Sequence, residues 1–217
     1  MIVFDVDGTL IDDEVADWSS FEAAFLEVAG FELDAEFFAG LEEITAKAIV
    51  HVALADLTPA EREAKETAVR TACLRNMRAQ HARLPGCFAP VPGAADLLRE
   101  LQAAGVPVAI ATGDWRETIT FKLEVAGLDV AGLPMMTSSE HYSRADIIRA
   151  AVTLAGRSLD EAVYVGDGVW DLRACRKLGI PFIGVGRRRE KLRAAGAGPV
   201  LPDLTPAAFH AARANLR

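Results

Sequence analysis

Apolar and polar positions along this chain fall into two textures. The first four residues, MIVF, are an unbroken apolar run, as a strand covered on both faces of a parallel sheet requires. A different texture runs from Glu14 to about Leu84, rich in Ala, Glu, Leu and Arg and without a strand pattern. Within it Trp18, Phe21, Phe25, Leu26 and Val28 recur at roughly helical spacing, so EVADWSSFEAAFLEVAGF predicts one amphipathic helix. DAEFFAGLEEITAKAIVHVALADL predicts one or two more, entered through Asp34 as an N-cap. The clearest start signal opens TPAEREAKETAVRTACLRNMRAQHARL. There Thr58 caps, Pro59 takes the first helical position and Glu61 completes a capping box. Pro85, Gly86, Pro90, Pro92 and Gly93 then end the helical run.

From residue 93 onward helices alternate with short apolar strands. GAADLLRELQAAG, DWRETITFKLEVAGL, SRADIIRAAVTLAG, GVWDLRACRKLGI and TPAAFHAARANLR read as helices. VPVAIAT, LPMMTSS, EAVYVGD and IPFIGVG read as strands, with GPVLP at an edge. Such alternation implies a parallel sheet covered on both faces, and right-handed crossovers bring every strand's carboxyl end to one rim. The expected class is α/β. Residues 1–13 and 86–217 build the sheet unit, and residues 14–85 form an inserted helical block.

Composition narrows the function classes. With 217 residues, 51% hydrophobic and 25% charged, the chain is an ordinary globular sequence. A net charge of −8 disfavours nucleic acid and anionic membranes as partners. No apolar run reaches the roughly 20 residues that a membrane helix needs. The first strand begins at Met1 with no signal peptide before it, so a cytoplasmic location is expected. Cys73, Cys87 and Cys175 are odd in number and scattered, which points to a reducing compartment without a disulfide or zinc framework.

Asp5 and Asp7 interrupt the apolar pattern just where it should be strongest. On an extended chain both side chains point the same way, and two desolvated carboxylates repel unless a cation or proton is shared. They also stand at the carboxyl end of a strand, where open α/β sheets bind ligands. Other strand ends add to them. VPVAIAT is followed by Thr112, Gly113 and Asp114, LPMMTSS by Glu140 and Arg144, and VYVG by Asp167 and then Asp171. Taken singly, Asp167 and Asp171 could be first-turn acids, Thr112 an N-cap and Arg144 a solvated side chain. Together they suit a hard, oxygen-loving cation such as Mg²⁺ and a phosphate group, with carboxylates as nucleophile and acid/base.

The order DVDGTL, then an apolar strand ending in Thr112-Gly113, then a basic residue, then VGDGVWD resembles the haloacid dehalogenase superfamily. It is most similar to the phosphatase and phosphomutase branch that carries a helical cap between the first and second motifs. The resemblance runs through the whole chain. It implies a Rossmann-like, doubly wound parallel sheet with a mobile all-helical cap over the active site. By position it makes Asp5 the nucleophile that forms an aspartyl-phosphate. Asp7 becomes the general acid/base and also gives a backbone carbonyl to Mg²⁺. Thr112 and Gly113 hold the transferring phosphoryl group, and Asp167 and Asp171 complete the metal set. Arg144 stands where the family usually has Lys, as the catalytic cation.

What the resemblance implies is a Mg²⁺-dependent phosphatase of a small phosphorylated metabolite, phosphoglycolate-like or a sugar phosphate. The alternative is a phosphomutase on the same scaffold. TGDWRE is similar to the second motif of phosphonoacetaldehyde hydrolases, but those enzymes and the metal-free dehalogenases lack an acid at the Asp7 position. A non-catalytic scaffold would have lost a rim acid, and this chain keeps Asp5, Asp7, Asp167 and Asp171. A cation beyond the metal is required near so many acids. Arg144 is the expected one, and its rival, Lys122, is expected to be solvated. RRREKLR, from Arg187, reads as a solvated helix near the rim, with anion steering as the alternative.

Overall fold

A computed structural model describes residues 1–216. The elements in chain order begin with β1 (Ile2–Phe4), β2 (Ile11–Asp12), α1 (Glu14–Ala29), α2 (Ala35–Ala39), α3 (Ala46–Ala53) and α4 (Pro59–Arg83). There follow β3 (Ala89–Pro90), α5 (Ala94–Ala103), β4 (Val108–Ala111), α6 (Arg116–Val125), β5 (Met135–Met136) and α7 (Arg144–Leu154). The chain closes with β6 (Val163–Gly166), α8 (Val169–Leu178), β7 (Phe182–Val185), α9 (Arg189–Ala194), β8 (Val200–Leu201) and α10 (Pro206–Ala214).

Six strands form one parallel sheet in the order β5-β4-β1-β6-β7-β8. Period-two alternation sets its two layers. Ile2 and Phe4 face one cluster with Leu97, Ile119, Leu123 and Phe209, while Val3 faces the other with Ile147, Ile148, Leu172 and Cys175. Helices therefore cover both faces of a doubly wound, Rossmann-like sheet. Strand β1 lies in the middle, between β4 and β6, so chain order reverses across it and opens a crevice at its carboxyl end.

The connection out of β1 departs from the sequence reading. The strand ends at Phe4, and the amides of Thr9, Leu10 and Ile11 all turn back to the carbonyl of Val6. Asp5 and Asp7 therefore do not share one face of an extended strand. Gly8 sits at φ +72° within this turn. At the Pro/Gly-rich return near residue 90, β2 pairs antiparallel with β3, Ile11 opposite Pro90 and Asp12 opposite Ala89. This ribbon clamps together the two passages between the sheet unit and the helical block.

Helices α1 to α4 make up that block. Asp34 caps α2 by accepting from Phe37 N at 2.8 Å, and Thr58 with Glu61 caps α4 reciprocally. Helix α1 packs along α4, and Phe21, Phe25, Val69 and Met77 join the same apolar cluster as Ile2 and Phe4. The block is thus continuous with the sheet's core. Trp115, fully buried beyond β4, stacks on Phe21 with ring centroids 5.9 Å apart and donates to Glu66 at 3.0 Å. Glu66 also meets His51 at 2.6 Å.

Candidate active site

Asp5, the first residue beyond β1, is 2% exposed. Its carboxylate accepts from Arg144 Nη1 at 3.0 Å, and Arg144 Nε lies 3.4 Å from Asp171. Burial pushes the Asp5 carboxyl up to about 7, against the pull of Arg144 and with Asp171 adding to the rise. Burial lowers the pKa of Arg144, but Asp171 and Asp5 outweigh that and raise it well above the ordinary arginine value. Arg144 is the first residue of α7, and Ser143 caps that helix by accepting from Asp146 N. The side chain points inward from the helix start, not along a solvated face.

Asp7 belongs to a second cluster. Its carboxylate is paired with Lys122, whose amine also lies 2.7 Å from Asp17, 2.8 Å from Asp114 and 3.3 Å from Asp13. Lys122 is 0% exposed, so the expectation of a solvated lysine is overturned. Its place in α6 explains the burial, because Ile119, Lys122 and Leu123 share one inward face. Burial opposes the charge on Lys122, yet Asp114, Asp17, Asp7 and Asp13 together raise its pKa well above the ordinary lysine value. Burial also raises the carboxyls of Asp7, Asp13 and Asp17 against Lys122, that of Asp17 to about 7. An ammonium has three protons for four carboxylates, so charge as well as hydrogen bonding holds this group. The repulsion expected between Asp5 and Asp7 is resolved by giving each carboxylate its own cation.

Asp167 and Asp171 follow β6 and open α8. Asp171 accepts from Gly168 N at 3.0 Å, and Tyr164, whose hydroxyl donates to Ala111 O, lies against it. Burial lifts the Asp167 carboxyl to about 7, opposed by Arg188, and the Asp171 carboxyl to about 6, opposed by Arg144. Arg188 pairs with Asp167 while its guanidinium lies 5.2 Å from the ring centroid of Trp170. Sequence reading placed this arginine in a solvated run; it is the first residue before α9 and reaches the rim. A Cβ at Gly8 would collide with the Asp167 carboxylate, so that turn must be glycine on steric as well as conformational grounds.

The second motif is split by depth. Thr112 is fully buried, its hydroxyl accepting from Asp114 N at 3.3 Å, while Gly113 reaches the cavity surface. Gly113 is hemmed in: a Cβ there would come within 2.6 Å of Arg144 Nη2 and 3.1 Å of Ile44 O. The segment before α3 presses on it, with Ala46 N donating to Gly113 O at 2.7 Å and Thr45 Oγ1 to Tyr142 O at 2.9 Å. Arg144 itself donates through its backbone N to Glu43 and through Nη2 to Ile44 O. Asp5, Asp7, Gly113, Arg144 and Asp167 thus border a cavity of about 1030 Å³ whose other wall is the helical block. Among the described residues, no helix is long and apolar enough to cross a membrane.

Asp5, Asp167 and Asp171 offer one oxygen each, all within 4.8 Å of one another. Three hard oxygen donors at this spacing, with carboxyls that burial pushes up to about 6 to 7, fit a small divalent cation. The Asp7 carboxylate stands apart from this set, among Asp13 and Asp17.

A family model described as haloacid dehalogenase-like hydrolase matches residues 2–185. The chain is 28% identical to the plasmid protein CbbY of Cupriavidus necator over 193 residues, covering 84% of this chain and 76% of that protein. It is 25% identical to a phosphoglycolate phosphatase of Agrobacterium fabrum over 189 residues, covering 85% of this chain and 79% of the relative. Among solved structures, a hydrolase from Pseudomonas syringae shares the fold with a TM-score of 0.77. The two are 21% identical, with 98% and 97% of the chains covered.

Proposed function

The chain belongs to the haloacid dehalogenase-like hydrolase family, and from that premise we propose that it is a Mg²⁺-dependent phosphatase of a small phosphorylated metabolite. The setting of Asp5 carries this reading. A buried carboxylate lies 3.0 Å from a buried guanidinium, beside two more carboxylates, at the edge of a cavity roofed by the helical block. The relative named phosphoglycolate phosphatase supports a phosphate monoester as substrate class.

In this mechanism Asp5 attacks phosphorus and the ester oxygen departs with a proton from Asp7. Water then attacks the phosphorus of the aspartyl-phosphate, giving a proton to Asp7 and releasing phosphate and the Asp5 carboxylate. Arg144 faces the charge that builds on the transferring group. Gly113, with no Cβ, lets backbone approach the phosphoryl oxygens, and Thr112 fixes the turn beneath it. Asp5, Asp167, Asp171 and the Asp7 carbonyl would hold Mg²⁺, which offsets phosphate charge and orients one oxygen when bound. Tyr164 and Gly168 keep Asp171 in place. The helical block excludes water from the reacting centre.

The test is phosphate release from a panel of phosphorylated metabolites, with Mg²⁺, with Ca²⁺ and with excess chelator. Release should need Mg²⁺ and be inhibited by Ca²⁺, which accepts looser coordination. Asp5→Asn should lose all but a trace of turnover and melt no lower than wild type in metal-free buffer. Full turnover in chelator, or an active Asn variant, would overturn the assignment.

A further inference from the structure

The phosphatase reading leaves open which alcohol is released, and the walls of the cavity bear on that. Resting on that reading, we propose that the substrate is a phosphate monoester whose alcohol part is uncharged, apolar and several carbons long.

Charge is the first ground. Among the described residues lining the cavity, every cation comes from the sheet unit: Arg144, Arg173 and Arg188. Arg144 is engaged by Asp5 and Asp171, and Arg188 by Asp167. The helical block contributes no Lys, Arg or His to this wall, and its charged members there, Asp17 and Glu22, are acids. A carboxylate or second phosphate reaching toward the block would meet the acids Asp17 and Glu22; among the described lining residues the cation that no carboxylate holds, Arg173, lies on the sheet side.

Hydrogen bonding is the second ground. A sugar needs several hydroxyl partners. The hydroxyls the block offers, Ser19 and Thr45, are already committed: Ser19 donates to Val15 O and accepts from Gln80, while Thr45 donates to Tyr142 O and accepts from Ala48 N. Apart from Asp17, which Lys122 holds, and Glu22, the rest of the block's wall is apolar. Trp18, 37% exposed, packs edge-on to Phe38 at 4.9 Å, and Leu41, Ile44 and Ile49 continue the surface. A cavity of about 1030 Å³ holds far more than a two-carbon acid.

The experiment uses n-alkyl phosphates from ethyl to hexyl, whose leaving alcohols have nearly equal acidity, together with phosphoglycolate and a hexose phosphate, in Mg²⁺. The value of kcat/KM should climb about fourfold per methylene along the series. Hexyl phosphate should exceed both polar substrates by at least about a hundredfold. Trp18→Ala and Leu41→Ala should flatten the slope, and Trp18→Arg should shift preference toward phosphoglycolate. Thermal protection by n-alkylphosphonates, which are not hydrolysed, reads the same slope without turnover. A flat series, or phosphoglycolate as the better substrate, overturns this inference and leaves the phosphatase reading standing. Phosphonate protection that climbs with chain length, without phosphate release from any ester, overturns the phosphatase reading and keeps the apolar site. Absence of both sinks the two together.

Discussion

Replacing Lys122 by Met keeps most of its volume and removes the ammonium with its charge and its hydrogen bonds, which isolates what that group does among Asp7, Asp13, Asp17 and Asp114. The amine is fully buried and lies within 3.3 Å of each of these acids. Removing one partner of a buried ion pair costs about 3–5 kcal/mol, because the charge left behind has lost both water and its counter-ion. For a chain of this size, each kcal/mol moves Tm by about 2–4 °C, so Lys122→Met should melt about 6–20 °C lower at pH 8. The loss should shrink toward pH 6. Burial already raises Asp7, Asp13 and Asp17 with Lys122 present, Asp17 to about 7, and without it they take protons more readily. An acid whose folded-state pKa is raised binds more protons folded than unfolded, so stability rises as pH falls through that folded value. Denaturant or thermal melts at both pH values read the effect, and adding Asp17→Asn should recover part of it at pH 8. A shift below about 2 °C at pH 8, or an equal loss at both pH values, would refute the idea that Lys122 neutralises this cluster.

Three further outcomes follow from the other cluster. Arg144→Ala should lower kcat by about 10²–10³, the scale for losing one electrostatic donor, and Arg144→Lys should restore a substantial part. A nearly silent Arg144→Ala would move the catalytic cation elsewhere. In metal-free buffer the protein should lose stability as pH rises from about 4 to about 7. Asp5, Asp167 and Asp171 sit near 7, 7 and 6 folded against about 4 unfolded, so the folded state binds the extra protons over that window. Mg²⁺ should raise Tm more at pH 8 than at pH 5, and equal protection at both would count against these carboxylates as its ligands.

Much of this architecture was legible because its signals are local. Apolar runs of strand length between capped helices dictate a parallel sheet, and Thr58 with Glu61 marks the start of α4 to the residue. The rim acids were legible for a related reason, since a carboxylate ending an apolar strand has few structural excuses. Arg144 was harder, because a helix-opening arginine is usually solvated; only the surplus of nearby acids called for its charge. Lys122 was misread although its position carried a clue. Three residues after Ile119 and one before Leu123, it lies on the buried face of α6, and a lysine there must have acids waiting for it. Two of those acids, Asp13 and Asp17, come from the passage into α1 and from α1 itself, and their approach depends on a turn that spacing does not specify. Arg188 escaped for the opposite reason: nothing in RRREKLR distinguishes the one arginine that Gly186, at φ +92°, turns toward Asp167. The same limit explains why Asp5 and Asp7 were read as rivals for one cation. Alternation along an extended strand predicts a shared face, but the strand stops at Phe4, and three amides folding back on the Val6 carbonyl separate the two carboxylates. Each then meets a cation from a helix far along the chain, Asp5 from α7 and Asp7 from α6, which places the proposed nucleophile and the proposed acid in separate ion-pair networks within one cavity.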